Sequence, residues 1–177
     1  MVNIPQAQHT SPYAQPNDEA RLQQVWKMLE RVFDPEIPSL NVIELGIIAD
    51  VRVHTRNVEV DMTPTFVGCP ALDRIRDDIT QTLESSGEHG VIVNVVRDPA
   101  WTSDRITPEG RRKLKEFGLA PPGPRCSGGE TPNLEHATCP FCNSIDTQLE
   151  SIFGPTLCRS IHYCQSCLQS FEQFKPV

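Results

Sequence analysis

Two CxxC pairs near the end of the chain constrain its fold more than any other feature. The pairs are Cys139–Cys142 and Cys164–Cys167, and 21 residues separate them. Two such knuckles bring four thiolates into the tetrahedral geometry that zinc prefers. A segment of about 40 residues is too short to be stabilised by a core alone, so a bound metal must supply much of its folding energy. The sequence therefore predicts a zinc ribbon over residues 136–177, with one structural zinc per chain.

The spacing of the cysteines leaves the identity of the metal open. An iron–sulfur cluster or a mononuclear iron centre uses the same thiolate ligands, and reduced cysteines without a metal are the simplest alternative. Since all four ligand positions belong to the protein, we expect a structural rather than a catalytic metal. Cys158, between the two pairs, is expected to be a small buried residue of the ribbon, and Cys126 has no predicted role.

The remainder of the chain has a different composition and indicates an α+β fold class. Polar, proline-bearing residues 1–16 are predicted to form a flexible tail, and proline- and glycine-rich residues 120–135 a linker. Between them, residues 17–119 show the periods of helices and strands. Their order, helix-strand-strand-helix-strand, favours a small two-layer α/β sandwich. We predict helices over residues 17–33 and 70–83, strands over 47–53, 58–64 and 91–96, and a last helix capped by Thr107 and closed by Gly118.

Composition and charge exclude several classes of function. The net charge is −7, and only Arg159 and Lys175 are basic among the last 39 residues, whereas phosphate binding needs several basic side chains. No apolar run of about 18 residues is present, which excludes a membrane span. The first residues lack the apolar core of a secretory signal, and seven cysteines without export suggest a cytoplasmic protein. The chain lacks a Glu-x-x-His pair for di-iron, a G-x-G-x-x-G and a P-loop.

A separate cysteine motif precedes the second predicted helix. Cys69 is followed by Pro70, a residue favoured in a first helical turn, so Cys69 is expected to be the N-cap, where the helix dipole stabilises a thiolate. Threonine side chains of the preceding strand and carboxylates of the loops could also reach the Cys69 thiol. This arrangement suits a transient metal or a reactive thiol, although a buried cysteine that merely begins a helix fits equally well. The candidate site comprises Asp34, Glu36, Glu44, Thr63, Thr65 and Cys69.

These motifs resemble the iron–sulfur assembly-factor family that includes SufT-type proteins. The resemblance covers roughly residues 20–97 and rests on three segments, which are Asp34-Pro35-Glu36-Ile37-Pro38, Ile43-Glu44-Leu45-Gly46, and Thr63-Pro64-Thr65 followed by Cys69-Pro70. Glu44 stands where the family often has aspartate, and Val67 stands where proline often precedes the glycine. The resemblance implies that Cys69 is a transient ligand for iron or an iron–sulfur cluster, with Thr63, Thr65 and Glu44 in support.

Together with the ribbon, the chain resembles the family of PaaD-type (also PaaJ-type) subunits of phenylacetyl-CoA epoxidase systems. In these systems of aerobic phenylacetate catabolism, a multicomponent di-iron oxygenase epoxidises the ring of phenylacetyl-CoA. Other subunits carry the di-iron centre and the flavin and iron–sulfur reductase. The resemblance implies a non-catalytic accessory subunit that helps to mature or assemble the complex. Its partners would be the oxygenase subunits and their reductase, without nucleic acid or membrane.

Three alternatives to an assembly factor stay open. The chain could be a static scaffold subunit whose only metal is the ribbon zinc. It could be an enzyme with Cys69 as nucleophile, although the motif holds no histidine to act as base, and His54 and His89 are distant in the sequence. The acidic charge disfavours a nucleic-acid-binding ribbon. A homodimer through the α/β domain is compatible with any of these functions.

Overall fold

A computed structural model of the protein describes residues 16–66, 68–123, 134 and 137–177. The predicted tail (apart from Pro16), most of the predicted linker and Cys126 lie outside the described residues. In the described part of the chain, no helix has the length and apolar character needed to cross a membrane.

The structure is mixed α and β with two small sheets, and it confirms the predicted fold class. A 3₁₀ turn at Ser103–Arg105 precedes the last helix. In chain order the elements are α1 (Pro16–Leu29), β1 (Ile48–Val53), β2 (Val58–Met62), α2 (Leu72–Ser85), β3 (Val91–Val95), α3 (Pro108–Glu116), β4 (Leu119–Ala120), β5 (Thr147–Ser151), β6 (Arg159–Cys164) and β7 (Gln169–Phe174).

The first sheet has the order β1-β2-β3, with a β1–β2 hairpin and a parallel β2–β3 pair. Parallel neighbours need a crossover, which α2 supplies. On β2, Val58, Val60 and Met62 are buried and the residues between them are half-exposed, as the alternation predicts. The helices α1 and α2 pack on this sheet and on each other. This arrangement is the predicted two-layer sandwich.

The first helix is shorter than predicted. It ends at Leu29, and the chain then turns, with the N–H of Val32 donating to the carbonyl of Leu29 (3.1 Å). The N–H of Asp34 donates to the carbonyl of Leu40 (2.9 Å), which closes a loop instead of continuing the helix. Val32 lies in this loop and is still buried in the core. Its place in the apolar pattern therefore reflects burial of the loop and not a longer helix. The prediction of a helix to residue 33 is wrong for this reason.

The second sheet contains the ribbon and has the order β4-β7-β6-β5. Strands β5, β6 and β7 are antiparallel neighbours, and β4 adds to β7 in parallel. Strand β4 was not predicted, because only two residues form it. It directly follows α3, whose N-cap Thr107 accepts a hydrogen bond from the N–H of Gly110 (3.0 Å), as predicted for this helix. A Cβ on Gly110 would lie 2.6 Å from the carbonyl oxygen of Glu44, so only glycine permits this approach.

One apolar cluster joins the ribbon to the α/β domain. Phe174 of β7 belongs to the cluster formed by α1, α2 and the first sheet, and its ring lies 5.8 Å from the ring of Trp101. The N–H of Ser103 donates to the carbonyl of Val177 (3.2 Å). The ribbon therefore packs against the α/β domain through its last strand and the chain end.

Candidate metal centre and the Cys69 site

The four predicted ribbon cysteines lie together. The Sγ atoms of Cys139 and Cys167 are 3.7 Å apart, those of Cys142 and Cys164 are 3.6 Å apart, and all four lie within 4.8 Å of one another. A tetrahedral site with Zn–S bonds of about 2.3 Å has S···S edges of about 3.8 Å. The spacing of the thiols therefore fits a tetrahedral metal, and the four cysteines are arranged for metal binding.

Two tight turns with matching geometry present these thiols. The N–H of Asn143 donates to the carbonyl of Cys139 (3.0 Å), and the N–H of Leu168 donates to the carbonyl of Cys164 (2.9 Å). The residue that follows each pair has a left-handed backbone, with φ of 64° at Asn143 and 59° at Leu168. Asparagine tolerates this region, whereas leucine is strained there. The knuckle geometry thus overrides local preference at Leu168.

The electrostatics of the cluster differ from thiol to thiol. The N–H groups of Cys167 and Ser166 point at the Cys164 sulfur and lower the pKa of Cys164 to about 6. Burial, together with hydrogen bonds to the neighbouring thiols, raises the pKa of Cys167 to about 12. One thiolate is therefore favoured before any metal binds. Four thiolates at these distances repel one another, so a bound cation is needed to hold all of them deprotonated.

Cys69 lies in the turn before α2 and is half-buried. Its N–H donates to the carbonyl of Phe66 (3.3 Å), and its own carbonyl accepts from the N–H of Leu72 (3.3 Å). The N-cap of α2 is Ala71, two residues later, so the prediction that Cys69 caps the helix is wrong. Pro70 lies in a turn that leads into the helix and not in the first turn of the helix itself. Cys69 therefore lies before the N-terminus of α2.

The pKa of the Cys69 thiol is raised, not lowered. Burial is the main cause, and a hydrogen bond from the N–H of Ala71 opposes it. The negative charges that Cys158, Glu36 and Asp34 can carry raise this pKa further. The resting protein therefore favours a neutral thiol at Cys69, contrary to the expectation of a thiolate stabilised by the helix.

Two of the predicted carboxylates are among the groups that act on Cys69. Asp34 is buried, and its Oδ1 accepts from the N–H groups of Glu36 (2.8 Å) and Ile37 (2.9 Å). Burial raises the pKa of Asp34 despite these bonds. Burial and the charge of Asp34 also raise the pKa of Glu36. The charges of Glu36 and Asp34 thus act on the Cys69 thiol.

Thr63 is held by a residue that the sequence analysis missed. The Thr63 hydroxyl is fully buried, donates to the carbonyl of Ile47 (3.2 Å) and accepts from Nη1 of Arg105 (3.1 Å). Arg105 also donates to the carbonyl of Ile48 (2.8 Å), and burial lowers its pKa. Thr65 is half-buried. The described hydrogen bonds of Thr63 therefore tie the end of β2 to Arg105 and not to Cys69.

Glu44 is engaged by the last helix of the α/β domain. Its Oε1 accepts from Nζ of Lys113 (2.6 Å), and its Oε2 accepts from the N–H of Asn41 (3.1 Å). The described contacts of Glu44 thus brace its own loop against α3. Local sequence could not indicate the ion pair, because Lys113 lies 69 residues away.

Cys158 is buried, as the sequence predicts. It is 9% exposed and belongs to the large apolar cluster shared with the α/β domain, not to the small cluster around the metal thiols. Its Sγ lies 3.1 Å from the hydroxyl of Thr156, and burial raises the pKa of its thiol. Cys158 therefore belongs to the apolar core that joins the ribbon to the α/β domain.

Two known protein families match different parts of the chain. Residues 22–95 match the iron–sulfur cluster assembly protein family, and residues 123–175 match the PaaD zinc beta ribbon domain. The chain is 36% identical over 156 residues to a protein of Escherichia coli (strain K12) that is provisionally designated the D-type subunit of 1,2-phenylacetyl-CoA epoxidase. The match covers 88% of this chain and 93% of that protein.

Shorter relatives match the α/β domain alone. An Fe-S protein maturation auxiliary factor of Porphyromonas gingivalis is 40% identical over 90 residues, which covers 50% of this chain and 85% of that protein. The factor SufT of Staphylococcus aureus is 36% identical over 78 residues, covering 43% and 88% of the two chains. A crystal structure of a DUF59 domain of unknown function from Bacillus anthracis aligns with a TM-score of 0.53 at 30% identity, covering 55% of this chain and 94% of that one.

Proposed function

Because the chain belongs to the family of the D-type subunits of 1,2-phenylacetyl-CoA epoxidase, we propose that it is an accessory subunit of such an epoxidase system and assists maturation of the system's metal or iron–sulfur centres. Its partners are then the oxygenase subunits and their reductase, and its place is the cytoplasm. The observation that supports the proposal is that Cys69, on which the charges of Glu36 and Asp34 act, lies within the residues that match the iron–sulfur cluster assembly protein family.

The chemistry of Cys69 suits a ligand that holds metal only transiently. Metal ions bind the thiolate form of cysteine. Because burial raises the pKa of the Cys69 thiol, removal of its proton costs free energy, and this cost lowers the affinity of Cys69 for a metal ion. The Cys69 thiolate takes up a proton again when the metal leaves. Asp34 and Glu36 add carboxylate oxygens, which together with a thiolate provide mixed ligands for iron. Iron or a cluster is thus cargo at this site.

The ribbon has a separate role in this proposal. Cys139, Cys142, Cys164 and Cys167 would hold a zinc ion, which supplies folding energy and no chemistry. Large apolar side chains are exposed near the two knuckles, and exposed apolar surface is typical of docking sites. We infer that the ribbon docks on a partner subunit through Phe141, Ile145 and Leu168.

A growth assay tests the role of Cys69. A strain that lacks the chromosomal copy is supplied with the wild-type protein, with Cys69→Ser or with Cys126→Ser, and is grown on phenylacetate. We expect Cys69→Ser to fail while Cys126→Ser supports growth. The zinc content and circular dichroism of the purified Cys69→Ser protein should match wild type, because the ribbon thiols are untouched. Growth of the Cys69→Ser strain at the wild-type rate would exclude this role for Cys69.

A static scaffold subunit is the second candidate function. It is favoured by the closed four-thiol cluster, which resembles a purely structural site. A scaffold stays in the complex at fixed stoichiometry and needs no thiol at residue 69. Purification of the assembled oxygenase distinguishes the two, since an assembly factor associates during maturation and is absent from the mature complex.

A further inference from the structure

The loop that joins β5 to β6 exposes large apolar side chains. Three of its residues are between 47% and 64% exposed, namely Ile152, Phe153 and Leu157. Hydrogen bonds fix the shape of the loop, because the Ser151 hydroxyl donates to the carbonyl of Phe153 (2.8 Å) and the N–H of Gly154 donates to the carbonyl of Arg159 (2.9 Å). A fixed loop that presents apolar side chains to solvent is typical of a binding surface.

Lys175 connects this loop to the turn that holds Cys69. The N–H of Lys175 donates to the carbonyl of Cys158 at the end of the loop (2.8 Å), and its ammonium lies 5.6 Å from the ring centroids of both Phe153 and Phe66. The carbonyl of Phe66 accepts from the N–H of Cys69 (3.3 Å). The junction surface comprises Phe66, Lys175 and the three exposed apolar side chains of the loop, and it adjoins the Cys69 turn.

The junction surface carries a positive charge that the ribbon does not neutralise. Lys175 and Arg159 are the only basic residues among the last 39, in a chain whose net charge is −7. Arg159 pairs with Glu172 (2.8 Å), whereas no carboxylate of the described residues forms an ion pair with Lys175. A cation close to two aromatic rings is complementary to a segment that places a carboxylate beside an apolar side chain.

The size of the exposed loop favours a transient partner. With about 200 Å² for a large side chain, the exposed parts of the three loop residues amount to roughly 300 Å². A stable interface needs about 800 Å² on each partner. A contact centred on this loop is therefore too small for a permanent dimer of the chain, whereas it suits a subunit that docks only while it receives metal.

We propose that the junction surface is a transient docking site for an acidic and apolar segment of the subunit that receives metal from Cys69. The inference rests on the proposed function and identifies the surface that the receiving partner contacts. Docking here places the partner next to the Cys69 turn, because Phe66 belongs both to the surface and to that turn. The ribbon thereby contributes a contact surface to the domain that holds the cargo.

Equilibrium binding to the separate partners tests the docking site. The zinc-loaded full chain is titrated with each oxygenase subunit and with the reductase, purified without oxygen from the deletion strain. We expect Phe153→Ala and Leu157→Ala each to raise the Kd of the partner that the wild type binds by about 10-fold, with unchanged zinc content and dichroism. Lys175→Gln should weaken binding and make it less sensitive to salt, while Lys175→Arg should keep most of the affinity.

Ile92→Ala is the matched control. Ile92 is 46% exposed, close to the exposed fraction of Leu157, but it lies on β3 and outside the junction surface. The control should leave the Kd unchanged, because the same loss of apolar surface occurs away from the docking site. An equal loss of affinity from Ile92→Ala would contradict the proposal.

The outcomes separate this inference from the proposed function. If the loop variants bind as tightly as wild type, while Cys69→Ser fails to support growth on phenylacetate, the docking site is excluded and the role of Cys69 stands. If the loop variants lose affinity but Cys69→Ser supports growth, the docking site stands and the maturation role fails. A wild-type dimer in sedimentation that Phe153→Ala dissociates, or a wild type that binds none of the partners, would overturn the inference.

Discussion

Replacing Phe174 by alanine tests whether the ribbon and the α/β domain share one core. The Phe174 side chain is 2% exposed and packs 5.8 Å from the ring of Trp101. Trp101 is itself buried, and its Nε1–H donates to the carbonyl of Leu45 (3.1 Å). Truncating a buried phenylalanine costs about 3–5 kcal/mol, against a total stability of about 5–15 kcal/mol for a typical protein. The variant should therefore lose a large fraction of its free energy of unfolding.

Urea unfolding of the zinc-loaded protein measures this loss. With a slope of about 2 kcal/mol per molar urea, a loss of about 4 kcal/mol lowers the midpoint by about 2 M. Tryptophan fluorescence and far-ultraviolet dichroism should shift together, because one cluster spans both sheets. Phe153→Ala is the matched control, since Phe153 is 64% exposed and its truncation should cost less than about 1 kcal/mol. A loss below about 1 kcal/mol for Phe174→Ala would refute the shared core.

Three further predictions follow from single features. The Leu168→Gly variant should be about 1 kcal/mol more stable than the wild type in urea unfolding, because the left-handed backbone of Leu168 (φ of 59°) strains a leucine and not a glycine, and the side chain is 67% exposed. An equal gain in stability from Leu168→Ala would contradict the explanation by backbone strain. The Asp34→Asn variant should be more stable than the wild type at neutral pH, because burial raises the pKa of Asp34 in the folded protein. Ionisation of Asp34 therefore destabilises the folded state as the pH rises from the pKa of Asp34 in the unfolded chain through its pKa in the folded protein. The difference in stability should diminish toward pH 3, and a difference that stays constant with pH would oppose this cause. Removal of the ribbon metal with a chelator should change Trp101 emission, because the strand that carries Phe174 loses its support; unchanged emission would show that β7 stays docked without metal.

Features encoded within short stretches could be predicted from the sequence. The alternation of Val58, Val60 and Met62 indicates a strand with one buried face, and the short segment after Val53 indicates a hairpin. The two CxxC pairs predict the thiol cluster, since the knuckle geometry is local and the pairs close on a common metal. Thr107 and the proline after it predict the start of α3 in the same way.

Features that depend on packing between distant segments could not be predicted. The burial of Cys158 in the cluster that it shares with the α/β domain depends on contacts between distant segments, and no local pattern encodes it. Strand β4 exists because Leu119 pairs with Glu172, which is far along the chain. The pKa of Cys69 rises because of burial, whereas the helix dipole alone would lower it.

The most direct test of the maturation role is the iron content of the partner subunits. The deletion strain carrying wild-type protein or Cys69→Ser is grown on a second carbon source with phenylacetate as inducer, and the oxygenase and its reductase are purified without oxygen. The account predicts that iron and sulfide in these partners fall several-fold with Cys69→Ser, while the variant keeps the ribbon zinc. Fully loaded partners from the Cys69→Ser strain would contradict it.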